Sequence, residues 1–247
     1  MMAADYMREA EQLPLVDLAG LLPKGGALVV APHPDDESLG CGGLIAELTG
    51  AGRPVRVVIV SDGAASHPNS QRYPRAALRA LRRKEAGEAV RLLGAPPPVF
   101  LDWPDGAVPA SGDGFARAVG QLAPLAQGYE TVLAPSGLDP HADHAATSAI
   151  AREVAARLKL RMLSYPIWSW RYLYPEILPI EPREVAGPPQ GLRLDISASL
   201  GRKRQAVMAH VTQTTRLIDD DPEGFILTPA MLAVLLRPFE VFLEDHP

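Results

Sequence analysis

The sequence predicts an α/β fold: one open, mostly parallel sheet with helices on both faces and a site at the carboxyl ends of its strands. Three observations predict it. Short apolar runs without alternation recur along the chain and suit strands buried on both faces. Helical stretches separate them, and alternating β and α elements argue for a parallel sheet. The unusual polar residues, His33 to Glu37, Asp62, Asp105 and His141 to His144, all follow predicted strands, where open α/β sheets bind their ligands.

Taken in order, "GALVVAPH" reads as the first buried strand, and "ESLGCGGLIAELTGAG" as a helix closed by glycines. "PVRVVIVSDG" is the second strand, which completes a βαβ unit of the usual right-handed kind. The long amphipathic helix "YPRAALRALRRKEAGEAVRLLGA" ends near a glycine stop. "PPVFLDWPDG" is a third strand and turn, "GFARAVGQLAPLAQ" a helix, and "YETVLAPSG" a fourth strand. The next helix, "HADHAATSAIAREVAARLKL", carries two histidines in its first turn. After "RMLSYPIW" the order blurs: a Pro-rich stretch from Pro175 to Pro189, a strand "GLRLDIS" and a helix around "SLGRKRQAVMAHV". The expectation is a single domain over residues 1–247, with a less regular Pro- and aromatic-rich segment around 165–190.

Composition narrows the function. A net charge of -5 without a Lys/Arg block offers no field for nucleic acid. No apolar run approaches the ~20 residues of a membrane span. The polar start "MMAADYMREAEQLPL" lacks a signal-type core, and one cysteine fits a reducing compartment, so a cytoplasmic protein is expected. The oligomeric state stays open.

The stretch "VVAPHPDDESLGCGG" sets an imidazole and three acidic groups at one strand end, a cluster that repels itself unless a cation sits in it. A tight turn can aim His33 and Asp36 at one point, and the second cluster lies on the same sheet edge. Two imidazoles and a carboxylate suit Zn²⁺, and three protein ligands match a catalytic site better than a structural one. Asp35, beside a ligand but pointing elsewhere, is placed to act as general base toward the attacking water. Of His141 and His144, one can bind metal while the other polarises a carbonyl or protonates a leaving group. Asp143 is expected to orient His141 by accepting its second ring N–H. "GCGG" lacks the spacing of a dinucleotide loop, and its acidic neighbours would repel a pyrophosphate. Asp62 reads as a turn residue and Cys41 as packing. The aromatics Tyr165, Trp168, Trp170, Tyr172 and Tyr174 read as core and loop cover before a sugar-binding wall.

"APHPDDESLGCGG" together with "HADHAA" closely resembles the LmbE/PIG-L family of zinc-dependent N-deacetylases, which remove acetyl groups from N-acetylglucosamine-type amino sugars. The resemblance runs from about Ala27 to about Gln213 and includes Arg82 and Glu85, Asp105, Lys203, His210 and Gln213. Ala142 stands where the family usually has Pro. The resemblance implies a Rossmann-like, LmbE-like fold, with His33, Asp36 and His144 as zinc ligands and Asp35 as base. It implies that His141 stabilises the oxyanion or protonates the amine, and that Arg82 and Asp105 contact the sugar. The substrate it implies is a small, soluble amino-sugar conjugate. The alternatives are an amidase for a larger acyl or thiol-conjugate amide, and a non-catalytic carbohydrate-binding relic. A relic would be expected to have lost Asp35 or a ligand, and none is lost.

Overall fold

The computed structural model describes residues 1–175 and 180–244. The chain runs α1 (Ala3–Ala10), β1 (Leu15–Val16), α2 (Leu18–Leu21), β2 (Ala27–Ala31), α3 (Asp36–Gly50), β3 (Val55–Ser61), α4 (Arg75–Leu92) and β4 (Val99–Trp103). It continues with α5 (Gly112–Ala126), β5 (Thr131–Pro135), α6 (Ala142–Leu158), β6 (Arg161–Tyr165) and a 3₁₀ turn (Trp168–Tyr172). Then come β7 (Gly191–Asp195), α7 (Leu200–Ala209), α8 (Val211–Thr214), α9 (Pro229–Leu235) and β8 (Phe239–Glu244). Of the Pro-rich segment, residues 176–179 lie outside the described residues, as does His246.

Among the described residues eight strands form one sheet, in the order β1-β7-β8-β6-β5-β2-β3-β4. β2, β3, β4, β5 and β6 pair in parallel, and β8 pairs antiparallel with both β6 and β7. The expected mostly parallel sheet is therefore present, with one antiparallel insertion. From β2 the chain winds outward through β3 and β4, then returns to place β5 and β6 on the other side of β2. The carboxyl ends of β2 and β5 thus flank the topological switch point, where such sheets open a crevice.

Every residue of β2 and β5 is buried. Alternate side chains of β2 feed two cores: Val29 and Ala31 pack with α3 and α4, Leu28 and Val30 with α5 and α6. The glycines of α3 let it lie flush under its neighbours. A Cβ at Gly40 would stand 2.2 Å from the ring of Tyr165, and one at Gly43 would stand 2.4 Å from Ile196. Helix α3 is thereby pressed against the sheet with its first turn just beyond the end of β2.

Candidate functional site

Three loops that follow β2, β4 and β5 meet at the switch point. His33 and Asp36 come from the first, and the Asp36 carboxylate folds back to accept the His33 amide at 3.0 Å. The same oxygen, Oδ2, lies 3.1 Å from His33 Nδ1 and 3.3 Å from His144 Nε2. His144 sits in the first turn of α6 and is fully buried. His141 is not in the helix but caps it, its Nδ1 accepting the Asp143 amide at 3.2 Å.

The far nitrogens of both central imidazoles are held by carboxylates. His144 Nδ1 lies 2.9 Å from Asp139 Oδ2, and Asp139 is fixed in turn by the amides of Ile167 and Ser169 and by the Ser169 hydroxyl. His33 Nε2 lies 3.1 Å from Asp143 Oδ2 and 3.3 Å from Asp105 Oδ1. Asp143 also accepts the amides of Gly106 and Val108, and Asp105 accepts that of Ala65. In the neutral tautomers that give each far N–H to a carboxylate, His33 Nδ1 and His144 Nε2 present lone pairs toward one carboxylate oxygen. His144 Nε2 is buried with no hydrogen-bond partner. Three such acceptors facing each other in a dry site repel, and positive charge removes the conflict, as protons on the rings or as a divalent cation among them. The ligand atoms of His33, Asp36 and His144 lie within 4.8 Å of one another, so the residues fit a metal ion. An overlapping trio of His33, His141 and Asp143 meets the same distance limit. There, however, both Asp143 oxygens already accept backbone amides, from Gly106 and Val108.

The electrostatics point the same way. Burial pulls His144 down, but Asp36 and Asp139 outweigh it and hold the imidazole up at about 9. The field at this point favours positive charge. Asp36 is driven the other way: burial raises it, yet His144 and His33 take it well below the carboxylate range. His141 is lowered by burial and by the two neighbouring imidazoles, which favours its neutral form. Because its Nδ1 accepts an amide, its proton is on Nε2, where it can donate to a substrate oxygen.

Asp35 differs from its neighbour. Its backbone has φ 144°, a conformation few non-glycine residues adopt. Burial raises its carboxyl to about 7, against the pull of Arg82 and with the charge of Asp36 adding to the rise. Arg82 Nη2 lies 3.2 Å from Asp35 Oδ2 and donates to Pro34 O at 2.7 Å, while Nη1 donates to Gly63 O at 2.8 Å. His33, Asp35, Asp36, Arg82, Asp105 and His141 all line one pocket of about 500 Å³. Its outer wall is Trp168 edge-on to Phe225, with Arg171, Gln213 and Glu223 beside them.

One expectation needs correction. Asp143 orients His33 and not His141, because the cap geometry turns the His141 ring so that Nδ1 accepts a hydrogen bond instead of donating one. Arg82 reaches back to Asp35 and the backbone, and Glu85 accepts the amide and hydroxyl of Thr212 at 2.9 and 2.6 Å. Asp62 is a turn residue, accepting the amides of Ala64 and Asp105. Cys41 is buried packing. Of the five aromatics only Trp168 reaches the pocket; Tyr165 is buried with its hydroxyl on Val30 O. Lys203 is buried against Glu240 at 2.8 Å, away from the pocket. Sequence reasoning missed Asp139, although it too is an acid following a strand, in "SGLDPHADH". It also gave no role to Glu37, whose carboxylate serves the Asp35 amide, Ser38 and His210.

Residues 28–155 match the PIG-L family, described as GlcNAc-PI de-N-acetylase. The chain is 31% identical over 153 residues to the 2'-N-acetylparomamine deacetylase of Streptomyces fradiae, a match covering 55% of this chain and 54% of that protein, so it spans about half of that relative. It is 25% identical over 245 residues to a 1D-myo-inositol 2-acetamido-2-deoxy-alpha-D-glucopyranoside deacetylase of Nocardia farcinica, covering 77% and 81% of the two chains. The N,N'-diacetylchitobiose deacetylase of Pyrococcus horikoshii superposes with a TM-score of 0.63 at 27% identity, over 96% of this chain and 88% of that one. A match over more than half its length, on a mostly parallel sheet whose switch point gathers the matched His and Asp residues, means that this chain belongs to the PIG-L family.

Proposed function

We propose that this protein is a zinc-dependent N-deacetylase of an N-acetylglucosamine-type amino sugar or its glycoside, working as one domain in the cytoplasm. The observation that carries the reading is the convergence of His33 Nδ1, Asp36 Oδ2 and His144 Nε2, with the base candidate Asp35 next to a ligand in the same pocket. Two imidazoles and one carboxylate are a donor set for Zn²⁺ with a position left open for substrate. All eight described strands join one sheet, which supports a single domain. A buried, unpaired cysteine suits a reducing compartment. No described helix is long and apolar enough to cross a membrane.

When bound, the ion supplies Lewis acidity that polarises the acetyl carbonyl and acidifies the attacking water. The protein's own groups do the rest. Asp35, raised by burial to about 7 without an ion and drawn below that when a cation binds, is ionised at neutral pH and takes the water proton. His141 donates an Nε2–H hydrogen bond to the developing oxyanion, and as the C–N bond breaks Asp35 passes the proton it took from water to the departing amine nitrogen. Acetate and free amine are released. Asp143, Asp105 and Asp139 fix the rings of His33 and His144, a role that keeps ligands oriented. Arg82 and Asp105 serve the sugar through this framework: both line the pocket while holding Asp35 and His33. The wall of Trp168 and Phe225 offers an apolar face to a ring of the conjugate, with Arg171 and Glu223 for its polar groups.

The test is amine release from a panel of N-acetylated glucosamine derivatives by zinc-loaded protein. Wild type should release amine, and Asp35→Ala should keep about one zinc per chain while losing activity by about 10²–10⁴-fold. Near-normal turnover in Asp35→Ala removes Asp35 from the mechanism. Silence from zinc-holding wild type across the panel favours the larger-acyl amidase. Silence with no zinc retained favours a binding protein and overturns the ligand set.

A further inference from the structure

Glu37 is completely buried and, unlike the two acids before it, does not line the pocket. Its Oε2 accepts the Asp35 amide at 3.0 Å. Its Oε1 accepts the Ser38 hydroxyl at 2.7 Å and faces His210 Nε2 at 3.1 Å. His210 follows the last residue of α7 and lies outside the segment that matches the family. It is 1% exposed, and its Nδ1 has no hydrogen-bond partner, so the ring's paired nitrogen is the one aimed at Glu37.

The Asp35 backbone explains why such an arrangement is needed. At φ 144° this residue is strained and would relax unless its surroundings over-determine it. Its carbonyl is taken by the first amides of α3, from Ser38 and Leu39. Its carboxylate and the preceding carbonyl are taken by Arg82. The remaining group, the amide, is taken by Glu37. We infer that His210 and Glu37 are positioning residues for the base: His210 fixes the Glu37 carboxylate, and Glu37 holds the Asp35 amide in the conformation that presents its carboxylate to the pocket. The inference rests on Asp35 being the base, but the hold on the amide is measurable without any substrate.

Two variants separate positioning from packing. His210→Gln keeps an N–H close to the place of Nε2, whereas His210→Asn keeps polarity but falls short of Glu37. In His210→Asn, kcat should fall about 10- to 100-fold with KM and zinc content unchanged, and His210→Gln should recover most of it. In an Asp35→Ala background, His210→Asn should add no further loss, since groups that act as a unit are not additive. Hydrogen exchange at the Asp35 amide should be slow in wild type and His210→Gln and fast in His210→Asn. Unchanged protection of that amide in His210→Asn overturns the inference. Equal losses in both variants, tracking equal falls in Tm, overturn it as well. If wild type deacetylates nothing while the exchange contrast holds, the positioning stands and the deacetylase reading fails.

Discussion

Adjacent acids at 35 and 36 sit on opposite sides of the ordinary carboxylate range. Asp36 is held low by two imidazoles, whereas Asp35 is raised to about 7 by burial, with Arg82 opposing. One is therefore a permanent anion suited to a cation and the other a base that switches near neutrality. A cation in the site draws Asp35 below its ion-free value, so the acid limb of kcat/KM should show one ionisation at or below pH 7, absent in Asp35→Asn. The stability consequence has the opposite sense from that of most acids. The folded pKa lies above the unfolded one, so the contribution is fully present below about pH 4 and is lost as pH rises through 7. In chelator-treated protein, denaturation should show Asp35→Asn gaining on wild type between pH 4 and 8; a constant difference would sink the assignment. The residue types were legible from the sequence, because acids and imidazoles crowded after strands demand a cation. Their opposite titration was not, since it comes from the burial and partners each side chain meets.

Helix α3 shows the same division at the scale of an element. Its position after β2 was readable from the apolar run, the acids and the closing glycines. The sequence also marks Gly40 and Gly43 as poor helix formers, and only packing gives the reason: Tyr165 and Ile196 occupy the space of a side chain. Gly40→Ala should therefore destabilise the protein by about 1–3 kcal/mol through overpacking, despite alanine's better helix propensity. Gly87, within α4 and with nothing within 4 Å of an added Cβ, is the control. Gly87→Ala should stabilise by about 1 kcal/mol. Denaturant midpoints for the pair check both signs, and a gain at Gly40 would show that α3 can slide off the sheet. Elements near the two ends were not legible. β8 pairs antiparallel between β6 and β7, and no local pattern announces that a late strand will be inserted there.

Across the whole molecule, the site draws five carboxylates (Asp35, Asp36, Asp105, Asp139 and Asp143) and three imidazoles from separate loops to one crevice. The imidazole centroids lie 4.8 to 5.4 Å apart. The imidazoles hold Asp36, Asp105 and Asp143 low, and a bound cation that favours only the folded state adds to the stability. Zinc at about 100-fold over its Kd should add about 2.7 kcal/mol, or roughly 5–10 °C in Tm for a chain of this size. Chelation should remove that increment and zinc should restore it, with His144→Ala insensitive to both; an unmoved Tm in wild type would argue against His33, Asp36 and His144 as ligands. The sequence by itself determined the alternation of strand and helix, and it placed the ligand types at strand ends, because periodicity and turn chemistry act over a few residues. Only the tertiary structure decided the partnerships: Arg82 with Asp35, Asp143 with His33, Asp139 with His144 and Ser169, and His210 with Glu37. Some of these span 110 and 173 residues. Loop closure and sheet order set such contacts, and no local repeat of residues records which distant side chain will arrive.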